Sequence, residues 1–278
     1  MLAEMHCHST YSTGKRILLE GLNTPQQMVA CAKKKGIDIV AVTDHDTIRG
    51  GLEAAKYAKK YGIIVIPGAE ITTRSGHVLA LGIKKDILPS LSVEETIERI
   101  HAQGGIAIAS HPFDVGNEGV GNLALKCDAL EAFNAINLER ISNWKARLFA
   151  NKYKFPSVAN SDAHCAEMIG YGRTEIYSSE SIDDIFDAIQ KGRTKMHAQY
   201  IPTKVVMEWS VKRLKVSYAF TLNYMNENYR WPKRAVCAKL LGLVKKSPGN
   251  IDYLFRLIAY FSLGNLFVYK AFREILMV

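Results

Sequence analysis

His6 and His8 stand two residues apart almost at the start of the chain. In an extended strand, side chains at i and i+2 point the same way, so the two imidazoles project together while Cys7 faces the opposite side. Two imidazoles so placed can share one divalent ion. A lone His-x-His pair says little, but this one has company: Thr43-Asp44-His45-Asp46, Gly68-Ala69-Glu70, His77, Ser110-His111-Pro112 and Ser161-Asp162-Ala163-His164 follow. Six of the eight histidines therefore fall at the ends of predicted strands, and clustered metal ligation explains that better than chance. His101 sits inside a predicted helix and His197 beyond another, and both are assigned structural roles. Asp46 is expected to cap a helix, and Asp44 to orient a histidine.

Imidazole with carboxylate and no thiolate suits zinc, manganese or iron and argues against calcium. Glu70 has two carboxylate oxygens and can bridge a pair of ions. Ions bridged at about 3.5–4 Å suit in-line displacement at phosphorus, one supplying hydroxide and the other neutralising the phosphoryl oxygens.

The elements that must hold these groups alternate along the first 200 residues. Short aliphatic runs predict strands over 1–8, 38–43, 63–67, 77–83, 106–110, 129–133, 157–160 and 174–177. Thr24-Pro25-Gln26-Gln27 and Ser92 with Glu95 read as capping boxes, Ser181 with Asp184 opens a further helix, and Asp46 starts one running toward Tyr61. Strands separated by helices imply βα units around a parallel sheet. The polar residues recur at the end of strand after strand, so many strands must converge on one point. A closed barrel does that, whereas an open doubly wound sheet focuses function at a single switch point. The expected fold is thus an α/β barrel, with a domain over 1–200.

Charge marks a second region. Residues 1–199 hold 23 Lys+Arg and 23 Asp+Glu, whereas residues 200–278 hold 13 and 4. All of the net +9 charge therefore lies in residues 200–278, and a basic, mostly helical C-terminal region is expected over 205–278. Nucleic acid or another anionic surface would suit it, as would a solvated face, and dimerisation is equally open. The longest uncharged stretch, Leu257 to Tyr269, is too short for a bilayer, which needs about 20 residues, and is expected to be a buried core helix. Five scattered cysteines without a Cys-x-x-Cys pair, and no secretory leader, point to a reducing cytoplasm.

On His6-Cys7-His8-Ser9, Thr43-Asp44-His45-Asp46, Gly68-Ala69-Glu70-Ile71-Thr72, Gly76-His77, Ser110-His111-Pro112 and Ser161-Asp162-Ala163-His164, the chain resembles the polymerase and histidinol phosphatase (PHP) superfamily of metal-dependent phosphoesterases. The match runs over about residues 1–200 and looks like the branch acting on nucleotides and short nucleic acids. The resemblance implies a distorted (β/α)7 TIM-like barrel with two or three divalent ions. His6, His8, Glu70 and Asp162 would hold the first ion, Glu70, His77 and His111 the second, and His45 and His164 a third. Glu70 and Asp162 would be catalytic through the hydroxide on the metals. In much of the family an early aspartate assists the third ion, in the pattern H-x-H-S-x-x-S-D-G. This chain reads Ser12-Thr13-Gly14 there, and a neutral hydroxyl is a much weaker ligand than a carboxylate.

The expected reaction is hydrolysis of a phosphate ester in a nucleotide or at an oligonucleotide end. Candidate phosphate contacts are Lys15, Arg16, Arg49, Arg74 and Arg173, since the planar guanidinium suits phosphate oxygens, with Asn134 as a further rim residue. Two other readings stay open: a metal-dependent hydrolase of carbon–nitrogen bonds, and a nucleic-acid-binding protein with a structural or vestigial metal site.

Overall fold

The computed structural model describes residues 1–116, 118–246, 257, 260, 261, 264, 265, 268, 269 and 272. Nine strands form one sheet: β1 (Leu2–Cys7), β2 (Ile39–Val42), β3 (Ile64–Thr73), β4 (Gly76–Leu81), β5 (Ile106–Ala109), β6 (Ala129–Asn134), β7 (Ser157–Asn160), β8 (Gly172–Ile176) and β9 (Thr194–Ala198). Their order is β7-β6-β5-β4-β3-β2-β1-β8-β9. The two ends of that order approach each other. The Thr174 hydroxyl on β8 bonds both the amide and the carbonyl of Ala159 on β7 at 2.9 Å, and the Thr194 hydroxyl donates to Ser157 O at 3.0 Å. The sheet is therefore a nearly closed barrel, filled by Ala3, Met5, Ile39, Ile66, Leu79 and Ile108 among others.

Helices α1 (Pro25–Lys34), α2 (Arg49–Ala55), α3 (Ala58–Tyr61), α4 (Val93–His101), α5 (Ile141–Tyr153) and α6 (Ile182–Gln190) lie between the strands. α1 and α4 start with the two expected capping boxes, whereas Ser181 caps α6 without a side-chain bond. Their apolar faces pack on the outside of the barrel, Met28 and Val29 of α1 against Val40 and Val42 and Ile97 and Ile100 of α4 against Ala107 and Val78.

Several expectations need correction. The sheet is mixed, because β3–β4, β4–β5, β1–β8 and β8–β9 pair antiparallel. β3 extends six residues beyond the predicted end and runs directly into a tight return to β4, which places Glu70 within the strand. β9 was not foreseen, since Thr194–Ala198 mixes charged and apolar residues at a half-exposed edge. Asp46 caps no helix. Its backbone is left-handed (φ 55°), and its carboxylate accepts from the amide and hydroxyl of Thr72 at 2.7 and 3.0 Å. Asp44 orients Ser9, not a histidine, accepting from its amide at 2.6 Å and its hydroxyl at 2.8 Å.

Beyond the barrel stand α7 (Thr203–Val216), α8 (Tyr218–Asn228) and α9 (Lys233–Lys246). α7 docks on the barrel through Trp209, which joins the cluster of Met28, Ala163 and Cys165. Of the stretch 257–269, the described Leu257, Tyr260, Phe261, Val268 and Tyr269 are exposed where burial was expected, and the other apolar members lie outside the described residues. Among the described residues no helix is long and apolar enough to cross a membrane, and Cys7, Cys31, Cys127, Cys165 and Cys237 are all free thiols.

Candidate metal centre

Two β-bulges aim the central side chains into the mouth of the barrel. In β1 the pairing with β2 slips between Glu4 and Cys7. Met5 accordingly packs with the barrel interior, while Cys7, two residues on, packs outside against α1. The extra residue turns His6 and His8 inward. β6 does the same between Glu131 and Phe133, so that Glu131 and Asn134 both reach the mouth while Phe133 points out.

The eight candidate ligands meet there. Both oxygens of the buried Glu70 carboxylate are ringed by imidazoles. Oε1 lies 3.2 Å from His77 Nδ1 and 3.1 Å from His111 Nε2, and it accepts from the Ser110 hydroxyl at 2.7 Å. Oε2 lies 3.4 Å from both His6 Nε2 and His8 Nε2, and 3.1 Å from His45 Nδ1. Asp162 Oδ1 sits 3.4, 3.1 and 3.5 Å from ring nitrogens of His6, His8 and His164. The backbones of His111 (φ 28°) and Asp162 (φ 53°) are left-handed, a strained state that β-carbons resist and that the surrounding bonds must hold.

Electrostatics follow from this crowding. Burial pushes the Glu70 carboxyl up, but His6, His77 and His45 around it hold it well below the usual carboxylate range. Asp162 is likewise held low, against burial, by His6, His8 and His164. Burial works against protonating His45 and His111, yet Glu70 raises each to about 9. His8 goes the other way, to about 3, through burial and the neighbouring His164 and His45.

The arrangement fits divalent cations on its own terms. His6 Nε2 faces His8 Nε2 at 3.1 Å, two nitrogens whose lone pairs repel unless a proton or cation lies between them. His77 Nδ1, His111 Nδ1 and Asp162 Oδ1 are buried without a hydrogen-bond partner, a costly state for polar atoms that a cation relieves at the two facing the cluster, His77 Nδ1 and Asp162 Oδ1. Donor atoms gather within 4.8 Å of one another in four overlapping sets: His6, His8, Glu70; His6, His111, Asp162; His45, Glu70, His77; and His8, His45, His164.

Four contributors escaped the sequence reading. Glu131 accepts from His6 Nδ1 at 2.9 Å, from the His111 amide at 2.9 Å, and from the amides of Asn134 and Asn160 at 3.1 and 2.8 Å. It thereby fixes the His6 tautomer with Nε2 bare toward Glu70 and Asp162. A lone carboxylate inside the apolar run Ala129-Leu130-Glu131-Ala132-Phe133 was the available signal. Glu20 reaches His45 Nε2 with its Oε2 at 3.3 Å, and hydrogen bonding to His45 draws its carboxyl down to about 2. Thr13 is exposed, and the loop closes behind it through the Glu20 amide on Ser12 O at 2.9 Å. A methyl group at Gly14 would collide with the Glu20 carboxylate. Trp209 and Arg213 of α7 complete the edge beside His164.

The candidate phosphate contacts are less gathered. Lys15, Arg16, Arg49 and Arg74 are exposed. Arg74 pairs with Glu95 at 3.4 Å, and Arg49 lies over the Tyr11 ring. Arg173 donates to Gly170 O at 3.0 Å. Asn134 is buried and donates to Asp162 Oδ2 and Glu131 Oε2, both at 3.1 Å, so it orients carboxylates.

Residues 140–194 match the family described as PHP-associated. The uncharacterized protein MJ1587 of Methanocaldococcus jannaschii is 43% identical over 149 residues, 51% of this chain and 87% of that protein. A 5'-3' exoribonuclease of Haemophilus influenzae is 38% identical over 86 residues, 30% of this chain and only 29% of its own length. Among solved structures, a two-domain protein from Bacteroides vulgatus containing a predicted PHP-like metal-dependent phosphoesterase superposes with a TM-score of 0.60 at 18% identity, over 77% of this chain and 70% of that one. At that identity the likeness concerns the fold.

Proposed function

The chain belongs to the PHP superfamily of metal-dependent phosphoesterases, and from that premise we propose that it hydrolyses a phosphate ester in a nucleotide or at an oligonucleotide end. The observation that carries the reading is Glu70, one buried carboxylate whose two oxygens face five imidazoles. Zinc, manganese or iron bound there would polarise phosphoryl oxygens and make water acidic enough to attack at neutral pH.

The chain's own residues divide the remaining work. His6, His8, Glu70 and Asp162 would hold one ion, and Glu70, His77 and His111 a second. His45 and His164 face a third position, where Glu20 takes the place that Thr13 does not fill. Glu131 and Asn134 keep His6 and Asp162 in orientation, so the donors need no rearrangement as charge develops. The nucleotide preference draws support from the exoribonuclease relative. Residues 1–200 form the catalytic barrel in this reading, and 205–278 the basic helical region.

Exchanging both His6 and His8 for alanine is expected to abolish manganese-dependent turnover of p-nitrophenyl phosphate, nucleotides and 5'-phosphorylated oligonucleotides, with the circular dichroism spectrum unchanged. Unchanged turnover sinks the assignment. Turnover of amides and not of phosphate esters would move it to carbon–nitrogen hydrolysis.

A further inference from the structure

α7 does more than attach the C-terminal region to the barrel. Trp209 and Arg213 are four residues apart and so share one helix face. The Trp209 ring is buried, 4.7 Å from the His164 ring, and its Nε1–H donates to Glu20 O at 2.9 Å. Two turns on, the Ser217 hydroxyl accepts from the Leu19 amide at 3.2 Å. The loop carrying Glu20 is thus fastened to α7 at both Leu19 and Glu20.

Arg213 lies above this contact. Its guanidinium stacks 3.9 Å over the Trp209 ring, and its Nε is buried without a hydrogen-bond partner. Among the described residues no carboxylate approaches within 4.0 Å of it, although the Glu20 charge acts on it. Stacking uses the flat face of a guanidinium and leaves the in-plane N–H groups free to donate. The other rim cations are exposed or already bonded, Arg74 to Glu95 and Arg173 to Gly170 O, although the Arg173 Nε is likewise buried without a partner. Arg213 is half-buried, and its Nε–H, held out of water without an acceptor, is a costly state that an anion arriving at the His8, His45 and His164 edge would relieve. That edge is also the more open one at His45, whose side chain is 19% exposed against 11% for His77 and 7% for His111 at the opposite edge.

We propose that Arg213 is the clamp for the substrate's phosphoryl group, its fork binding two non-bridging oxygens beside His45 and His164, so that α7 forms a wall of the site. The inference rests on the phosphoesterase reading above. It makes the first helix of the basic region part of the catalytic centre.

The test uses the full chain loaded with manganese, with inorganic phosphate as the probe. Calorimetric titration of Arg213→Gln is expected to show phosphate binding weakened roughly tenfold to a hundredfold, the size of a lost charge-assisted hydrogen-bond pair. KM for p-nitrophenyl phosphate should rise in parallel, with bound manganese per chain unchanged. Arg213→Lys keeps the charge and loses the fork, and is expected to restore only part of the affinity. Phosphate affinity within twofold of the unaltered protein in Arg213→Gln, at full metal content, overturns the clamp and leaves the phosphoesterase reading intact. If Arg213→Gln loses metal, Arg213→Lys decides, and unaltered affinity there overturns the clamp. An unaltered protein that neither binds phosphate nor cleaves any phosphate ester overturns both.

Discussion

At one end of the cluster His77, His111 and Glu70 stand on or beside paired strands, whereas at the other His45, His164 and Glu20 stand on loops, the Glu20 loop being fastened to α7 and His164 packing on its Trp209. The strand end is the drier one, and behind it Glu131 accepts from His6, the His111 amide, Asn134 and Asn160. The loop end is wetter, with 26% of the Glu20 side chain exposed. A sheet fixes side-chain direction through its pleat and pairing, whereas a loop takes its shape from whatever packs on it. In the proposed reading the barrel would supply a rigid pair of ion positions, and α7 would tune a third position together with the approach to it.

That contrast can be broken at the strand end first. Glu131→Gln puts an amide among four donors, so that at least one buried N–H loses its acceptor and His6 is no longer held in one tautomer. Metal affinity should fall roughly tenfold to a hundredfold, the usual effect of removing the partner that orients a ligand. Titration with manganese reads this directly, and an unchanged affinity would show that the strand end does not depend on Glu131.

A smaller effect is expected at the loop end. Glu20→Gln should lower bound metal by one ion per chain, counted by plasma mass spectrometry, and leave the other two in place. Thr13→Asp added to that variant should not restore the ion, because position 13 faces solvent. Restoration would return the role to position 13, where the family resemblance implies an aspartate.

The mildest test is pH. His45 and His111 titrate near 6.5 when unperturbed and at about 9 in the folded cluster. At pH 7 the metal-free cluster therefore keeps protons that an arriving cation must expel. Apparent metal affinity should climb as pH rises from 6.5 to about 9 and level off above. An affinity flat across that window would mean that neither imidazole holds its proton before the ion arrives.

The candidate ligands were legible because histidine and carboxylate are scarce inside apolar strands and recur here at strand after strand. His6, His8, His45, Glu70, His77, His111, Asp162 and His164 all carry that signal. Glu131 carried a fainter form of it, one carboxylate in an apolar run. Glu20, Trp209 and Arg213 carried none, since each stands in a stretch whose composition is ordinary for a loop or a surface helix. Their roles come from contacts spanning 189 residues, such as Trp209 on Glu20.

Residue type and alternation by themselves determined the barrel class, the rhythm of strands and helices, and the chemistry of the donor set, because each depends on neighbours close along the chain. The tertiary structure decided which way those donors face and what completes them. The bulges in β1 and β6 exist only as slips against their partner strands, and they turn His6, His8, Glu131 and Asn134 into one mouth. The carboxylate beside His45 is Glu20 because a folded-back loop and a distant helix bring it there. Pairing register and long-range packing are properties of two segments at once, and no single segment carries them.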